Sequence, residues 1–210
     1  SHAQRALQYL CTANMAVAPG TTVYTGILND RGGYESDVTI TRTAPEEYLL
    51  VTGSGQATRD HHLLTLGLAG YQADVVDVTS AYAVLGVMGP RSRDLLGRLT
   101  KTDLTNANFP FYTSQEIELG PVPCRATRVS YIGELGIPTE YAVTAYEYLT
   151  DAGEDLGLTP VGHYAVDGMR IEKGYRAWGR ELTPDRTPVE AGMSFTCKLR
   201  TDIAFRGREV

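Results

Sequence analysis

The stretch that decides the fold runs from Val23 to Thr39 and reads VYTGILNDRGGYESDVT. Residues 23–28 are strand-like, and residues 38–42 alternate in the manner of a returning strand. The residues between them include NDRGG at 29–33, a composition typical of a tight turn. The stretch therefore predicts a β-hairpin.

Outward from the hairpin, helical and strand-like patterns follow one another along the chain. The predicted helices are 3–17, 58–68, 91–99, 146–157 and 163–173. The further predicted strands are 47–52, 75–78, 83–88, 109–119, 122–130 and 140–143. This order predicts an α+β fold of mostly antiparallel sheets with packed helices, in two interleaved halves.

The composition of the chain argues against several classes of function. A chain of 210 residues can bury a substantial core, and 42% hydrophobic with 21% charged residues argues against disorder. The formal net charge of −6, without basic runs, argues against nucleic acid as a partner. No apolar run approaches the roughly 20 residues of a membrane span, and the N-terminal residues do not resemble a signal peptide. We therefore expect a protein of the bacterial cytoplasm or the mitochondrial matrix, with no membrane partner.

Generic motifs do not assign a function. The sequence contains no GxGxxG after a strand, no P-loop, no HExxH and no GxSxG. The three cysteines lie far apart and form no CxxC pair, which argues against a zinc site or a disulfide framework. His61 and His62 are adjacent on a predicted helix, where side chains diverge by about 100°, so they cannot both face one metal ion. We expect no metal site.

Five motifs together carry a resemblance to one family. In chain order they are residues 23–39, LGVMGPRSR at 85–93, SYIGELG at 130–136, RIEKGYRAWG at 170–179 and TPVEAG at 187–192. The set resembles the glycine cleavage T-protein superfamily of folate-binding aminomethyltransferases. The EKGYRAWG form resembles the C-terminal part of sarcosine and dimethylglycine dehydrogenases more than it resembles the T-protein itself.

This resemblance implies a domain plan and an activity. Residues 1–195 would form the aminomethyltransferase-type folate-binding domain, and residues 196–210 would begin a C-terminal barrel segment. The domain would bind tetrahydrofolate and transfer a methylene unit to it from an amine-derived iminium, giving 5,10-methylenetetrahydrofolate. The iminium would come from an upstream FAD oxidase domain absent from this chain, so we expect the chain alone to be inactive on the amine.

The resemblance also implies the site residues. Asp37 would be the catalytic carboxylate, beside the reactive nitrogens of the folate. The other implied folate contacts are Tyr24, Thr52, Gly53, Tyr131 and Arg170. Arg170 and Glu172 would pair inside the domain or cap the pocket wall, and Trp178 would lie mainly in the core.

One departure concerns the residues after Gly136. In relatives an aromatic-Glu-Leu-Tyr segment follows, and its Glu bonds the pterin, whereas here Gly136 is followed by IPTE at 137–140. Either that clamp is lost, or the segment is left out of this sequence. The family pattern resumes cleanly on both sides, which favours the second interpretation.

The sequence leaves three functions open. The first is a one-carbon transfer module fed by an oxidase domain. The second is a glycine cleavage aminomethyltransferase, and the third is a regulatory relative of a dehydrogenase phosphatase. The presence of Asp37 favours a catalytic role.

Overall fold

The computed structural model describes residues 1–130 and 133–209, with the backbone alone for residues 133 and 134. The chain forms two compact units. Unit 1 is Ser1–Val76 with Gly174–Val210, and unit 2 is Asp77–Lys173. Because the chain leaves unit 1 and later returns to it, the two units interleave in sequence.

Unit 1 is built on the hairpin. Its helices and strands are α1 (His2–Leu10), β1 (Thr22–Leu28), β2 (Tyr34–Ala44), β3 (Glu47–Val51) and α2 (Ala57–Gly67). The strands form an antiparallel sheet in the order β1-β2-β3. The turn forms because the Asn29 side-chain oxygen accepts from the backbone N–H groups of Arg31 and Gly33, at 2.9 and 3.0 Å. Gly32 supplies the positive φ of 77° that this turn requires.

Two apolar clusters hold unit 1 together. The first joins the helices to the sheet through Leu7, Leu10, Cys11, Met15, Ile27, Val38, Ile40 and Leu64. The second packs Leu28 and Tyr34 of the hairpin against the returning C-terminal segment, through Leu182, Ala191, Met193 and Phe205. The C-terminal segment is therefore part of the core around the hairpin.

Unit 2 is a second antiparallel sheet with helices. Its elements are β4 (Tyr82–Val87), α3 (Ser92–Leu99), β5 (Thr113–Leu119), β6 (Val122–Arg128), β7 (Gly133–Pro138), α4 (Ala142–Gly153) and α5 (His163–Glu172). The strand order is β4-β7-β6-β5. A cluster that includes Leu95, Leu119, Ile137 and Leu149 joins α3 and α4 to the sheet. No helix within residues 1–130 and 133–209 has the length and apolarity to cross a membrane.

Three sequence-based element predictions were wrong. The helix predicted over 3–17 ends at Leu10, because Cys11 is extended and the N–H of Thr12 bonds the carbonyl of Gly26 in β1 at 2.9 Å. Residues 75–78 form no strand. Residues 140–143 lie in a 3₁₀ turn and the start of α4, because the neighbouring strand β7 already ends at Pro138.

Candidate functional site

The hairpin brings Tyr24 and Asp37 together. Gly26 pairs with Asp37 and Tyr24 pairs with Thr39, so Tyr24 and Asp37 are diagonal neighbours on one face of the ladder. The Tyr24 hydroxyl donates to Asp37 Oδ2 at 2.9 Å. This bond holds the carboxylate in one orientation, while Asp37 stays only partly buried.

Tyr34 completes the wall beside Asp37. Its side chain is buried, and its Cε1 lies 2.6 Å from the position that a Cβ on Gly26 would take. Burial raises the pKa of Tyr34 far above its usual value. Tyr34 is therefore a neutral, fixed group beside the carboxylate.

Burial is the main influence on the pKa of the Asp37 carboxyl. It raises the pKa of Asp37 above its usual value, because the charged form loses solvation. The hydrogen bond from Tyr24 opposes this rise, and the negative charge of Asp60 adds to it. The result is a carboxylate with a higher proton affinity than an exposed aspartate, which suits a group that exchanges protons with a ligand.

Thr52 and Gly53 follow β3 and connect to the hairpin through Asp60. The Thr52 hydroxyl donates to Asp60 Oδ2, and Ser36 Oγ donates to the same oxygen at 2.7 Å. Thr52 and Ser36 thus share one carboxylate oxygen, and Ser36 immediately precedes Asp37 in β2. Gly53 is exposed, which leaves its backbone accessible to a ligand.

Asp60 is a site residue that the sequence did not reveal. It lies in the first turn of α2 and is 1% exposed. In sequence it has the place of an ordinary surface carboxylate near a helix N-terminus, so no pattern distinguishes it. Its partners lie 8 and 24 residues away along the chain.

A second group that the sequence missed lies along the same hairpin. Arg59 forms an ion pair with Glu35 and lies over the ring of Trp178, with its guanidinium carbon 4.9 Å from the ring centroid. Trp178 and Tyr24 both pack against the cluster that contains Tyr34. Trp178 is therefore partly buried and carries a cation on one face.

Unit 1 contains Tyr24, Asp37, Thr52 and Gly53 of the predicted site residues. Tyr131 lies outside the described residues. Arg170 belongs to unit 2, where it is 5% exposed and its Nε donates to Asp167 Oδ1 at 2.5 Å. The predicted pairing of Arg170 with Glu172 was wrong, because Glu172 is exposed and Asp167 takes that place.

Within the described residues, no group of three or more His, Cys, Asp or Glu side chains could hold a metal ion. His61 and His62 are both exposed on α2. In the candidate site described above, Asp37 is the carboxylate that a hydrogen bond from Tyr24 orients.

The sequence of the chain is similar to those of two mitochondrial dehydrogenases. The chain is 38% identical to mitochondrial sarcosine dehydrogenase of Mus musculus over 226 residues, covering 99% of this chain and 25% of that protein. It is 34% identical to mitochondrial dimethylglycine dehydrogenase of Rattus norvegicus over 209 residues, covering 97% of this chain and 24% of that protein. The chain thus spans about a quarter of the length of each relative.

The fold of the chain also matches that of a solved structure. The glycine cleavage system aminomethyltransferase T from Bartonella henselae superposes with a TM-score of 0.86 at 26% identity, over 100% of this chain and 57% of that one. This match confirms the α+β fold with antiparallel sheets. The family model described as the GCVT N-terminal domain matches residues 1–201, a range that includes the whole hairpin and Asp37. On sequence and fold together, this chain belongs to the GCVT N-terminal domain family.

Proposed function

We propose that this chain is the tetrahydrofolate-binding one-carbon transfer module of a protein similar to sarcosine or dimethylglycine dehydrogenase. It would accept a methylene unit from an amine-derived iminium and give 5,10-methylenetetrahydrofolate. One observation carries the proposal: the partly accessible Asp37 carboxylate, held by the Tyr24 hydroxyl at 2.9 Å. The similarity to both dehydrogenases supports it.

The residues present fit a reduced folate. Such a ligand presents N–H donors, and a carboxylate with a raised pKa is a strong acceptor for them. Tyr24 and Asp37 would hold the reactive side, and the exposed backbone at Gly53, next to Thr52, would approach the flat ring. Tyr131 and Arg170 remain proposed contacts on the family resemblance alone.

Asp37 would act in three ways. When bound, tetrahydrofolate supplies the nucleophilic nitrogens that take up the one-carbon unit. Asp37 orients the N–H that it accepts, and its negative charge stabilises the cationic donor nearby. The carboxylate would accept the proton released as the first folate nitrogen bonds the iminium carbon. The bond from that carbon to the donor amine would break as the second folate nitrogen bonds the same carbon, and the amine would leave with the two protons that the folate nitrogens lose. Tyr24 keeps Oδ2 in place throughout, so the carboxylate needs no reorientation.

The iminium that donates the methylene unit would be made in another domain. An FAD oxidase domain, upstream in the same protein, would oxidise sarcosine or dimethylglycine to the iminium. Both mammalian relatives are named as mitochondrial. For this chain we propose the mitochondrial matrix or the bacterial cytoplasm.

A second candidate function is that of an aminomethyltransferase of the glycine cleavage system. The superposition on aminomethyltransferase T over the whole chain favours it. The two candidates share the folate site and differ in the donor. An FAD domain in the full-length gene product would select the first.

Calorimetric titration with tetrahydrofolate tests the folate site, which both candidate functions share. We expect saturable binding that Asp37→Ala weakens at least tenfold. The matched control is Glu46→Gln, which removes an exposed carboxylate from the turn between β2 and β3. Equal affinity in Asp37→Ala and the unmodified chain would remove Asp37 from the site, and no binding at all would favour the regulatory alternative.

A further inference from the structure

Two arginines of unit 2 converge on one loop, which connects α3 to β5. Arg93 of α3 donates from its Nη2 to Asn106 Oδ1 at 2.8 Å. Arg128, at the end of β6, donates from its Nη1 to the carbonyl of Phe109, and its guanidinium carbon lies 4.0 Å from the ring centroid of Phe111. Two positive charges from different elements thus meet at the same loop.

These two arginines differ from the other arginines of unit 2 in their partners. Each of the others forms an ion pair: Arg91 with Asp94, Arg98 with Asp155, Arg125 with Glu116 and Arg170 with Asp167. Among the side chains that the structure describes, Arg93 and Arg128 have no carboxylate partner. Burial and, after it, the charge of Arg93 lower the pKa of Arg128. Two like charges are therefore held near each other without a counter-ion from the described chain.

The one acidic residue of the connecting loop, Asp103, is bonded within the loop itself. Its Oδ1 accepts from the backbone N–H of Thr105 at 2.8 Å, and its Oδ2 accepts from Asn108 Nδ2 at 2.6 Å. Each oxygen of this carboxylate thus has a neutral donor in the loop. A counter-ion for Arg93 and Arg128 would therefore have to come from outside the loop.

Two consecutive aromatic rings of the same loop are exposed to solvent. Phe111 is 58% exposed and Tyr112 is 42% exposed. Tyr112 has a φ of 59°, in the left-handed region, and its N–H donates to the carbonyl of Arg128 at 2.8 Å. The loop therefore presents two rings to solvent in a backbone conformation that a bulky residue rarely adopts.

We propose that Arg93, Arg128 and the two exposed rings form a binding site for an aromatic carboxylate. The N–H donors of a guanidinium form a planar fork that matches the two oxygens of a carboxylate. The bonds of each arginine to the loop use one nitrogen, so the other N–H groups can donate to a ligand. Phe111 and Tyr112 would hold the flat part of that ligand by offset or edge-to-face contact.

This site is independent of the proposed function. All its residues belong to unit 2, and no step proposed for one-carbon transfer uses them. Its test therefore needs no folate.

The test follows the two arginines in the full chain, labelled with ¹⁵N at arginine Nε. Their signals are assigned by their loss in Arg93→Lys and in Arg128→Lys. Three probes are then compared: benzoate, acetate, which lacks the ring, and benzyl alcohol, which lacks the charge. All titrations are made at one ionic strength, because salt screens exposed charges.

We expect benzoate to shift both signals saturably, acetate to need about fivefold more for half-saturation, and benzyl alcohol to cause no saturable shift. Phe111→Ser should raise the benzoate midpoint to that of acetate, whereas Arg98→Lys, at an arginine paired with Asp155, should leave it unchanged. Equal midpoints for benzoate and acetate in the unmodified chain, or shifts without saturation, would overturn the proposal. If Arg128→Lys does not fold, the signal of Arg93, whose side chain is exposed, decides alone.

Discussion

The ring of Tyr34 lies directly against the backbone of Gly26, the residue that pairs with Asp37 across the hairpin. A Cβ at position 26 would lie 2.6 Å from Tyr34 Cε1. Glycine is thus required here by close packing. The absence of this one side chain allows the ring to form the wall beside the carboxylate.

Gly26→Ala should therefore destabilise unit 1. Tyr34 is 1% exposed, so its ring cannot move away without disturbing the core. We expect a loss of about 1–3 kcal/mol in the free energy of unfolding, measured by urea denaturation. Gly55→Ala is the matched control, since a Cβ there meets nothing within 4 Å. Equal effects of the two substitutions would show that the close contact does not determine the residue at position 26.

Lys198 is a second residue whose substitution should measurably lower the stability of the chain. Its buried ammonium group donates to the carbonyls of Gln8, Cys11 and Ala13, at 2.5, 2.7 and 3.1 Å, at the end of α1. Lys198→Met keeps the apolar stem but leaves these carbonyls without their donor. We expect a cost of about 2–4 kcal/mol at neutral pH by urea denaturation, against little change for the exposed Lys101→Met.

The pH dependence of stability provides a separate check on Lys198. Burial lowers its pKa from 10.5 to about 8 in the folded chain. Between these values the unfolded chain binds the proton and the folded chain does not, so stability should rise with pH across this window. Lys198→Met should lack this rise. An identical pH slope in both proteins would exclude a buried, titrating Lys198.

The hairpin could be predicted from sequence because its causes are local. Asn29 and Gly32 lie within the turn that they form, and β-branched residues flank it on both sides. The pair of Tyr24 and Asp37 followed from the family motif, and the register of the hairpin then explains why they meet. Short-range turn chemistry thus fixed the centre of the candidate site.

The parts of the fold and of the candidate site that the sequence did not predict depend on contacts between residues far apart in the chain. Asp60 meets Ser36 across 24 residues, and Lys198 meets Gln8 across 190. The early end of α1 has the same origin, because a backbone bond from Thr12 to β1 overrides a helical pattern that continues to Met15. No local pattern carries such information, so these contacts become visible only in the folded chain.

Trp178 offers an internal optical probe, since it is the single tryptophan of the chain. Arg59 covers one face of its ring and is paired with Glu35. Arg59→Met should remove the cation, leave Glu35 unpaired and admit water, which would move tryptophan emission to longer wavelength. Arg31→Met is the control, because Arg31 is exposed and its ion pair with Asp185, at 3.5 Å, lies at the surface. Equal spectra for the two variants would contradict the stacked arrangement.

Asp37 should reduce stability at neutral pH. Its folded-state pKa is raised, so between its usual value and the raised value the folded chain binds more protons than the unfolded chain. Stability from this group is present at low pH and is lost as pH rises through the folded-state pKa. Asp37→Asn should therefore stabilise the chain at pH 7, by about 0.5–2 kcal/mol, which is the usual range for a single stabilising substitution. A loss of stability in urea denaturation would show that the Tyr24 bond outweighs burial.

The same substitution makes the most direct functional prediction when it is introduced into the full-length protein. Asp37→Asn removes the charge and the basic oxygen from the folate site but leaves amine oxidation, which would occur in another domain, intact. We expect the rate of amine oxidation to stay within about twofold, while formaldehyde accumulates in place of methylenetetrahydrofolate, because the iminium hydrolyses when its acceptor is not activated. Glu46→Gln should leave the partition between the two products unchanged. If Asp37→Asn also leaves it unchanged, the carboxylate has no part in one-carbon transfer, whereas a parallel fall in amine oxidation would mean that Asp37 acts on the donor rather than on the acceptor.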